Sequence, residues 1–210
     1  MIYEKNPSAI YAQSFATVRA EADLSGLPDS LHPVAIRLIH ACGMTDIPAD
    51  LRFSDDVAIA AQNALKSGAK VLCDVDMVAS GVIQRYLNQN EVIVTLNHPS
   101  VPELAKRLGT TRSAAAVELW RNHIEGAVVA IGNAPTALFH LMEKLDQGWP
   151  KPAAILGFPV GLVGAAESKA ELAANARRVP YIALLGRRGG SAIASAAVNG
   201  LAAGLPEEKS

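Results

Sequence analysis

Histidine and arginine are the residue types in this sequence whose placement could do proton-transfer and anion-binding chemistry. His40 stands apart from the other four histidines. It lies three residues before Gly43, at the end of a run, His32 to Cys42, in which Val34, Ala35, Leu38, Ile39 and Cys42 recur at helical spacing. That spacing predicts a helix closed by glycine with His40 in its last turn. The helix macrodipole favours an imidazolium at that end, so His40 is expected to hold a proton near neutral pH and to serve as a general acid, with a simple helix-capping histidine as the alternative. His32 precedes Pro33 at a helix start, and His123 and His140 fall in helical patterns, so these three read as packing or surface residues. His98, before Pro99 at a strand end, is a weaker candidate.

Arg19, Arg37, Arg112, Arg187 and Arg188 sit at or near segment ends, where planar guanidinium groups can take carboxylates in bidentate geometry. Arg112 is the best placed, because Thr110-Thr111-Arg112-Ser113 opens a helix where amides, hydroxyls and a guanidinium converge. Nineteen Lys and Arg against twenty Asp and Glu give a formal net charge of -1, so any anion site must be local. The ligand these residues suit is a polyanionic small molecule, with a solvated helix-face charge as the alternative for any single arginine.

Other chemistries lack their residues. No GxSxG nucleophile elbow occurs, and the Asp74/Asp76 pair has no histidine close in sequence, which speaks against a hydrolase and against a metal site. Cys42 and Cys73 are far apart and outside any CxxC or Cys/His spacing, so neither zinc nor a disulfide is expected. Four Tyr, four Phe and two Trp are too few for a nucleic-acid stacking platform.

The elements that must position these residues follow from hydropathy. The 210 residues are 50% hydrophobic and 19% charged, which fits a single folded domain over 1–210 with a disordered tail at 205–210. Thirty-seven residues are Ala, so the apolar content comes from small side chains. The longest apolar stretches, around 126–131 and 152–166, are interrupted well before the ~20 residues a membrane span needs. The N-terminus lacks a basic segment followed by an apolar one, so a cytoplasmic protein with no membrane partner is expected.

Asn6-Pro7-Ser8 opens a helix running to Leu24, with Ile10, Tyr11, Phe15, Val18 and Ala22 at helical spacing. From Asp55 onward, helical patterns (55–66, 101–108, 112–123, 134–146, 169–177 and 191–203) alternate with five short apolar runs at 69–74, 91–96, 126–131, 152–156 and 179–184. Runs of continuous rather than alternating hydrophobicity between helices predict a three-layer α/β domain with a parallel five-stranded sheet, preceded by an all-helical N-terminal lead-in. Ligand sites in such sheets lie at the carboxyl ends of strands. Three of the loops there, at 132–136, 157–164 and 186–191, are glycine-rich. Gly157-x-x-x-Gly161-x-x-Gly164 is neither GxGxxG nor GxxxxGK[ST], so a large non-nucleotide ligand lying over several loops is the expectation, with glycines that only permit tight turns as the alternative.

The strings Ser14-Phe15-x-x-Val18-Arg19-Ala20-Glu21-Ala22, Arg37-Leu38-Ile39-His40-Ala41-Cys42-Gly43, Thr111-Arg112-Ser113-Ala114-Ala115, Gly132-Asn133-Ala134-Pro135-Thr136-Ala137-Leu138 and Gly157-Phe158-Pro159-Val160-Gly161 together resemble the precorrin-8X methylmutases of the cobalamin pathway. The resemblance continues through Val163-Gly164-Ala165-Ala166-Glu167-Ser168-Lys169 to Gly186-Arg187-Arg188-Gly189-Gly190-Ser191 and departs chiefly in the loop 76–81. It implies a flavodoxin-like homodimer, an isomerase that moves a methyl group from C11 to C12 of a tetrapyrrole without any cofactor or metal, giving hydrogenobyrinic acid. His40 matches the family's proton donor or acceptor. Ser14, Arg37, Thr111, Arg112, Asn133 and Thr136 match positions that implicate them in substrate binding, with Arg112 reaching the site of the partner subunit, and the segment-end Arg19 of the first string is counted with them as a substrate-binding candidate. The same shift on a cobalt-containing substrate, and a non-catalytic tetrapyrrole-binding or channelling protein that hands its ligand to the next pathway enzyme, are the alternatives. A flavin- or nucleotide-binding oxidoreductase of the same fold is a third.

Overall fold

Strands apolar at every position need a helix layer on each face. The computed structural model, which describes residues 1 and 3–205, has that arrangement; residues 206–210 of the tail expected to be disordered lie outside the described residues. Among the described residues one mixed sheet contains β1 (Leu51–Phe53), β2 (Val71–Cys73), β3 (Val92–Val94), β4 (Val128–Ile131), β5 (Ala154–Gly157) and β6 (Tyr181–Leu184), in the order β1-β6-β5-β4-β2-β3. Strands β2 to β6 occupy the five expected positions and pair in parallel, with Val71 opposite both Val92 and Val128. Strand β1 corrects the expectation of a purely parallel five-stranded sheet. It pairs antiparallel with β6, Leu51 opposite Leu184 and Phe53 opposite Ile182. Three residues with Arg52 at the centre carry too little apolar pattern to be read as a strand; docking on the β6 edge supplies the pairing.

Nine α-helices occur among the described residues: α1 (Pro7–Glu21), α2 (His32–Cys42), α3 (Val57–Lys66), α4 (Asp76–Gly81), α5 (Val101–Leu108), α6 (Arg112–Val117), α7 (Pro135–Asp146), α8 (Ala165–Ala174) and α9 (Ser191–Ala203). Asn6 caps α1, its side-chain oxygen accepting from the N–H groups of Ser8 and Ala9 at 2.9 and 3.3 Å. The short helix α4 replaces the expected loop at 76–81. Helix α8 begins at Ala165, four residues ahead of the expected start, because Gly164 adopts the left-handed conformation (φ 80°) that turns the chain into it.

The two-residue period of the strands divides the core. Val71, Cys73, Val128, Ala130, Leu156 and Ile182 pack with α1, α2, α3 and α9, whereas Leu72, Val129, Ile131, Ile155 and Ala183 pack with α7 and α8. The chain before β1 is helical, as expected, and its helices α1 and α2 form part of one core layer. Helix α2 lies close against α9 at Gly200, where a Cβ would come 3.0 Å from Val34 Cα and 3.4 Å from Arg37 Cδ. That approach fixes His40 and Arg37 relative to α9, whose N-terminus follows β6 at the carboxyl edge of the sheet.

Candidate active site

Helix α2 ends on Gly43 in the left-handed conformation (φ 71°), whose N–H donates to Ile39 O at 2.7 Å. His40 thus occupies the last turn as expected, exposed on one side and resting against the rings of Tyr11 (5.3 Å between centroids) and Phe15 (5.2 Å) of α1. Its Nδ1 is 2.7 Å from Ser14 Oγ. With the hydroxyl donating to Nδ1, the neutral ring carries its proton on Nε2, which has no partner among the described residues. The expectation that the helix end holds His40 charged is corrected: burial against the aromatic rings, and then the nearby Arg37 guanidinium, push its pKa below the ordinary histidine value.

Arg37, one turn earlier, is 7% exposed, donates through Nε to Gly204 O and lies 5.2 Å from the centroid of the Tyr86 ring. It lines, with Tyr11, His40, Met77, Ser195 and Asn199, a cleft of about 410 Å³ between α2, α4 and α9. A second cleft of about 410 Å³ opens on the other flank of His40, bordered by Gln13, Ser14, Thr17, Glu21 and Thr45. The structure thus brings Ser14, Arg37 and His40 together. Arg19, exposed in the last turn of α1, lines neither cleft. The remaining histidines find partners elsewhere: His32 with Leu27 O, His98 with Ser100, His123 with Lys70 and His140 with Glu118.

A second group gathers at the carboxyl ends of β2, β3 and β4. Thr111 caps α6, its Oγ1 accepting from Ala114 N at 3.1 Å and lying 2.8 Å from Thr136 Oγ1. Arg112 donates to Leu96 O (3.4 Å) and Asn97 Oδ1 (3.3 Å), and Asn97 in turn donates to Asp76 Oδ2 at 2.7 Å. These long bonds leave an exposed guanidinium with donors to spare. The Asn133 side chain is exposed while its backbone N–H, with those of Gly132 and Ala134, donates to the Asp74 carboxylate at 2.8–2.9 Å. Asp74 is 3% exposed and sits where the strand order reverses between β2 and β4, the crevice in which doubly wound folds hold phosphates. The protein's own carboxylate takes the donors a phosphate would need there. Burial pushes the Asp74 carboxyl up, against the three N–H groups that pull it down. Among the described residues no cluster of three or more His, Cys, Asp and Glu could hold a metal ion, and no helix is long and apolar enough to cross a membrane.

Sequence reasoning missed Lys169. The glycine-rich loops after β5 and β6 are laced together by Gly161 N to Arg187 O (3.2 Å) and Gly190 N to Phe158 O (2.8 Å), and a Cβ on Gly189 would strike Phe158 O and Pro159 O. Lys169 of α8 is fully buried and donates its ammonium to Arg188 O, supporting this double loop from within. The Arg188 side chain ties the same loop to Asp46 (2.7 Å) and Asp50 (2.6 Å), so it is a structural cation. The signal for Lys169 was its spacing: Ala165, Lys169 and Leu172 share one helical face, and that face is the buried one.

Desolvation, reinforced by Arg188, pushes Lys169 down to about 8. Between that pH and its unfolded value near 10.5 the unfolded chain binds more protons than the folded one, so this group's contribution to stability rises with pH across the window. Denaturant midpoints of the natural chain and Lys169→Met should therefore diverge in favour of the natural chain by up to about 3 kcal/mol from pH 8 to 10.5. A pH-independent difference would reject the buried ammonium.

An α/β fold in which an imidazole stands between two clefts, bonded to a hydroxyl on one flank and beside a buried guanidinium on the other, defines the class, an α/β protein with the groups of an enzyme site. The family model for precorrin-8X methylmutase (CbiC) matches residues 9–203. The chain is 61% identical over 201 residues to a precorrin-8X methylmutase from Pseudomonas aeruginosa, covering 95% of this chain and 97% of that one. It is 36% identical over 197 residues to a cobalt-precorrin-8 methylmutase from Priestia megaterium, covering 93% and 87%. A solved structure of a precorrin-8X methylmutase from Thermus thermophilus superposes with a TM-score of 0.82 at 39% identity, covering 92% of this chain and 93% of the other. The chain belongs to the precorrin-8X methylmutase family, a family of isomerases.

Proposed function

We propose that the protein moves the C11 methyl group of precorrin-8X to C12, yielding hydrogenobyrinic acid, with His40 supplying the proton that makes the macrocycle electron-poor and taking it back after the shift. The observation that carries this reading is the His40 ring itself, oriented by Ser14 through Nδ1 and left with Nε2 unengaged beside the cleft. Ser14 then acts on substrate through His40 as well as by any direct contact. Arg37, Thr111, Arg112, Asn133 and Thr136 hold peripheral carboxylates and other polar groups of the ligand, and positioning accounts for the remainder of catalysis. Arg19 has no such support, since it lines neither cleft. The metal-free substrate is favoured over its cobalt counterpart because the 61% identical relative is named for precorrin-8X and the 36% identical one for cobalt-precorrin-8.

The order of the five parallel strands, β3-β2-β4-β5-β6, corresponds to the flavodoxin-like order 2-1-3-4-5 once the edge strand β1 is set aside. A cleft of about 410 Å³ lies near the low end of the ~300–1,000 Å³ range for drug-sized ligands, and a tetrapyrrole is larger than these. The substrate thus extends beyond this one cleft. Exposed Met77, Leu162 and Val163 at the carboxyl rim supply apolar surface for it or for a second subunit. This supports a homodimer in which Arg112 of one chain completes the His40 site of the other.

The direct test is anaerobic incubation of the protein with metal-free precorrin-8X, followed by absorption spectroscopy. Conversion to the hydrogenobyrinic acid spectrum is expected. An unchanged spectrum would overturn the reading, and conversion of cobalt-precorrin-8 alone would transfer it to that substrate. Arg112→Ala is expected to weaken ligand binding by about 1.5–3 kcal/mol, the range for a hydrogen bond to a charged group. Arg112→Lys should recover only part, since an ammonium cannot reproduce the planar fork. Titrations unchanged in Arg112→Ala would make this residue a solvated surface charge.

A further inference from the structure

Arg37, which lines the cleft beside His40, also takes part in a feature that the functional reading leaves unused. The Tyr86 ring is flanked by two guanidinium groups, Arg37 and Arg85, each 5.2 Å from its centroid. Neither arginine forms an ion pair among the described residues, whereas Arg177 and Arg188 each engage two carboxylates. Two cations sharing one ring repel each other, and the π face and the phenol oxygen between them offset part of that repulsion. Burial of the ring works to raise the phenol pKa, yet contacts with Arg85 and Arg37 more than cancel it and the value falls below that of ordinary tyrosine. The surroundings are electropositive, and among the described residues no carboxylate pairs with either guanidinium.

The support is rigid. Asn199 of α9 accepts from Ile83 N at 2.8 Å and donates to Gly81 O at 2.9 Å, pinning the segment that leads into Arg85 and Tyr86. Ile83, Arg37 and Asn199 are themselves cleft-lining residues. Arg37 spends its Nε on Gly204 O, which fixes its guanidinium and leaves the terminal nitrogens as its remaining donors. Arg85 is exposed and approachable from solvent. A fixed guanidinium and an approachable one, both beside the same phenol, suit one carboxylate.

We infer that Arg85 and Tyr86, with Arg37, form a carboxylate subsite at the outer end of the His40 cleft, which takes one acidic side chain of the macrocycle and fixes the ring's orientation over the histidine. The inference rests on the tetrapyrrole reading given above. Its test couples the protein to the ligand group. Natural, Arg85→Gln and Tyr86→Phe chains are titrated, by absorption change, with hydrogenobyrinic acid and with a derivative whose peripheral carboxylates are amidated. Arg85→Gln is expected to bind the free acid about 10- to 100-fold more weakly, the range for losing a charged hydrogen bond, and Tyr86→Phe to lose less. Against the amidated derivative the loss should shrink to about two- to threefold, because the carboxylate that the guanidinium engages is gone. Arg85→Lys should fall between the two. Equal losses with both ligands, or no loss with either, would overturn the subsite while the tetrapyrrole reading stands. Natural protein that binds neither ligand would overturn both.

Discussion

His40→Ala should lower turnover of precorrin-8X by about 10² or more while leaving ligand affinity within about tenfold, or ~1.4 kcal/mol. The asymmetry follows from the site. On the proposed reading His40 contributes a proton at the reacting ring, whereas affinity comes from arginines and hydroxyls that the substitution leaves in place. Natural turnover in the variant would end the assignment. The pH profile separates the role of His40 as acid from a merely structural one. In the free protein the aromatic packing and then Arg37 depress the His40 pKa, so if the protonated ring is the active form, kcat/KM should fall as pH rises through a value below the ordinary ~6.5. Bound substrate adds carboxylates near the ring and raises that pKa, so the falling limb of kcat should lie at higher pH than that of kcat/KM. Coincident limbs would mean that the ligand does not recharge His40, and a limb of opposite sense would make it a base.

That pKa could not be read from position in the chain, which explains much of what the sequence left hidden. The hydropathy pattern places β2 to β6 and the bounds of α2, α5 and α9, because continuous apolar runs and glycine stops are local signals. Strand β1 was not legible: its pairing partner is β6, over a hundred residues away, and Arg52 interrupts its three residues. For His40, the last-turn placement is local and was correct, yet its electrostatics depend on Tyr11 and Phe15 arriving from α1. The Ser14 hydroxyl reaches Nδ1 across 26 positions, so the sequence marked Ser14 as a site residue but could not give its partner. Arg37 shows the converse. The motif marked it as a candidate site residue, while the burial that commits Nε to Gly204 O arises only when α2 packs on α9. Asp74 was noted for lacking histidine neighbours, and its work in closing the phosphate crevice depends on the β4–α7 turn folding back onto it.

Mixing inactive His40→Ala chains with inactive Arg112→Ala chains should restore about a quarter of natural activity. Within one chain, Arg112 is bonded to Leu96 and Asn97, and no hydrogen bond joins it to the His40 group among the described residues. The helix it opens continues into Ala114, Ala115 and Ala116, but all three are buried, so they cannot form the contact surface. Exposed Met77, Leu162 and Val163 offer a more suitable apolar area for a partner. In a two-fold dimer whose sites each take His40 from one chain and Arg112 from the other, random exchange makes about half of the dimers mixed, and each mixed dimer has one intact site and one doubly damaged site. Half of the dimers with half of their sites gives the quarter. If both residues served a site within a single chain, every site in every mixture would still lack one of them and activity would stay at the level of the separate variants. Subunit exchange is verified independently by mass-tagging one variant, so absence of recovery after confirmed mixing would reject the shared site and leave the role of His40 standing on its own kinetics.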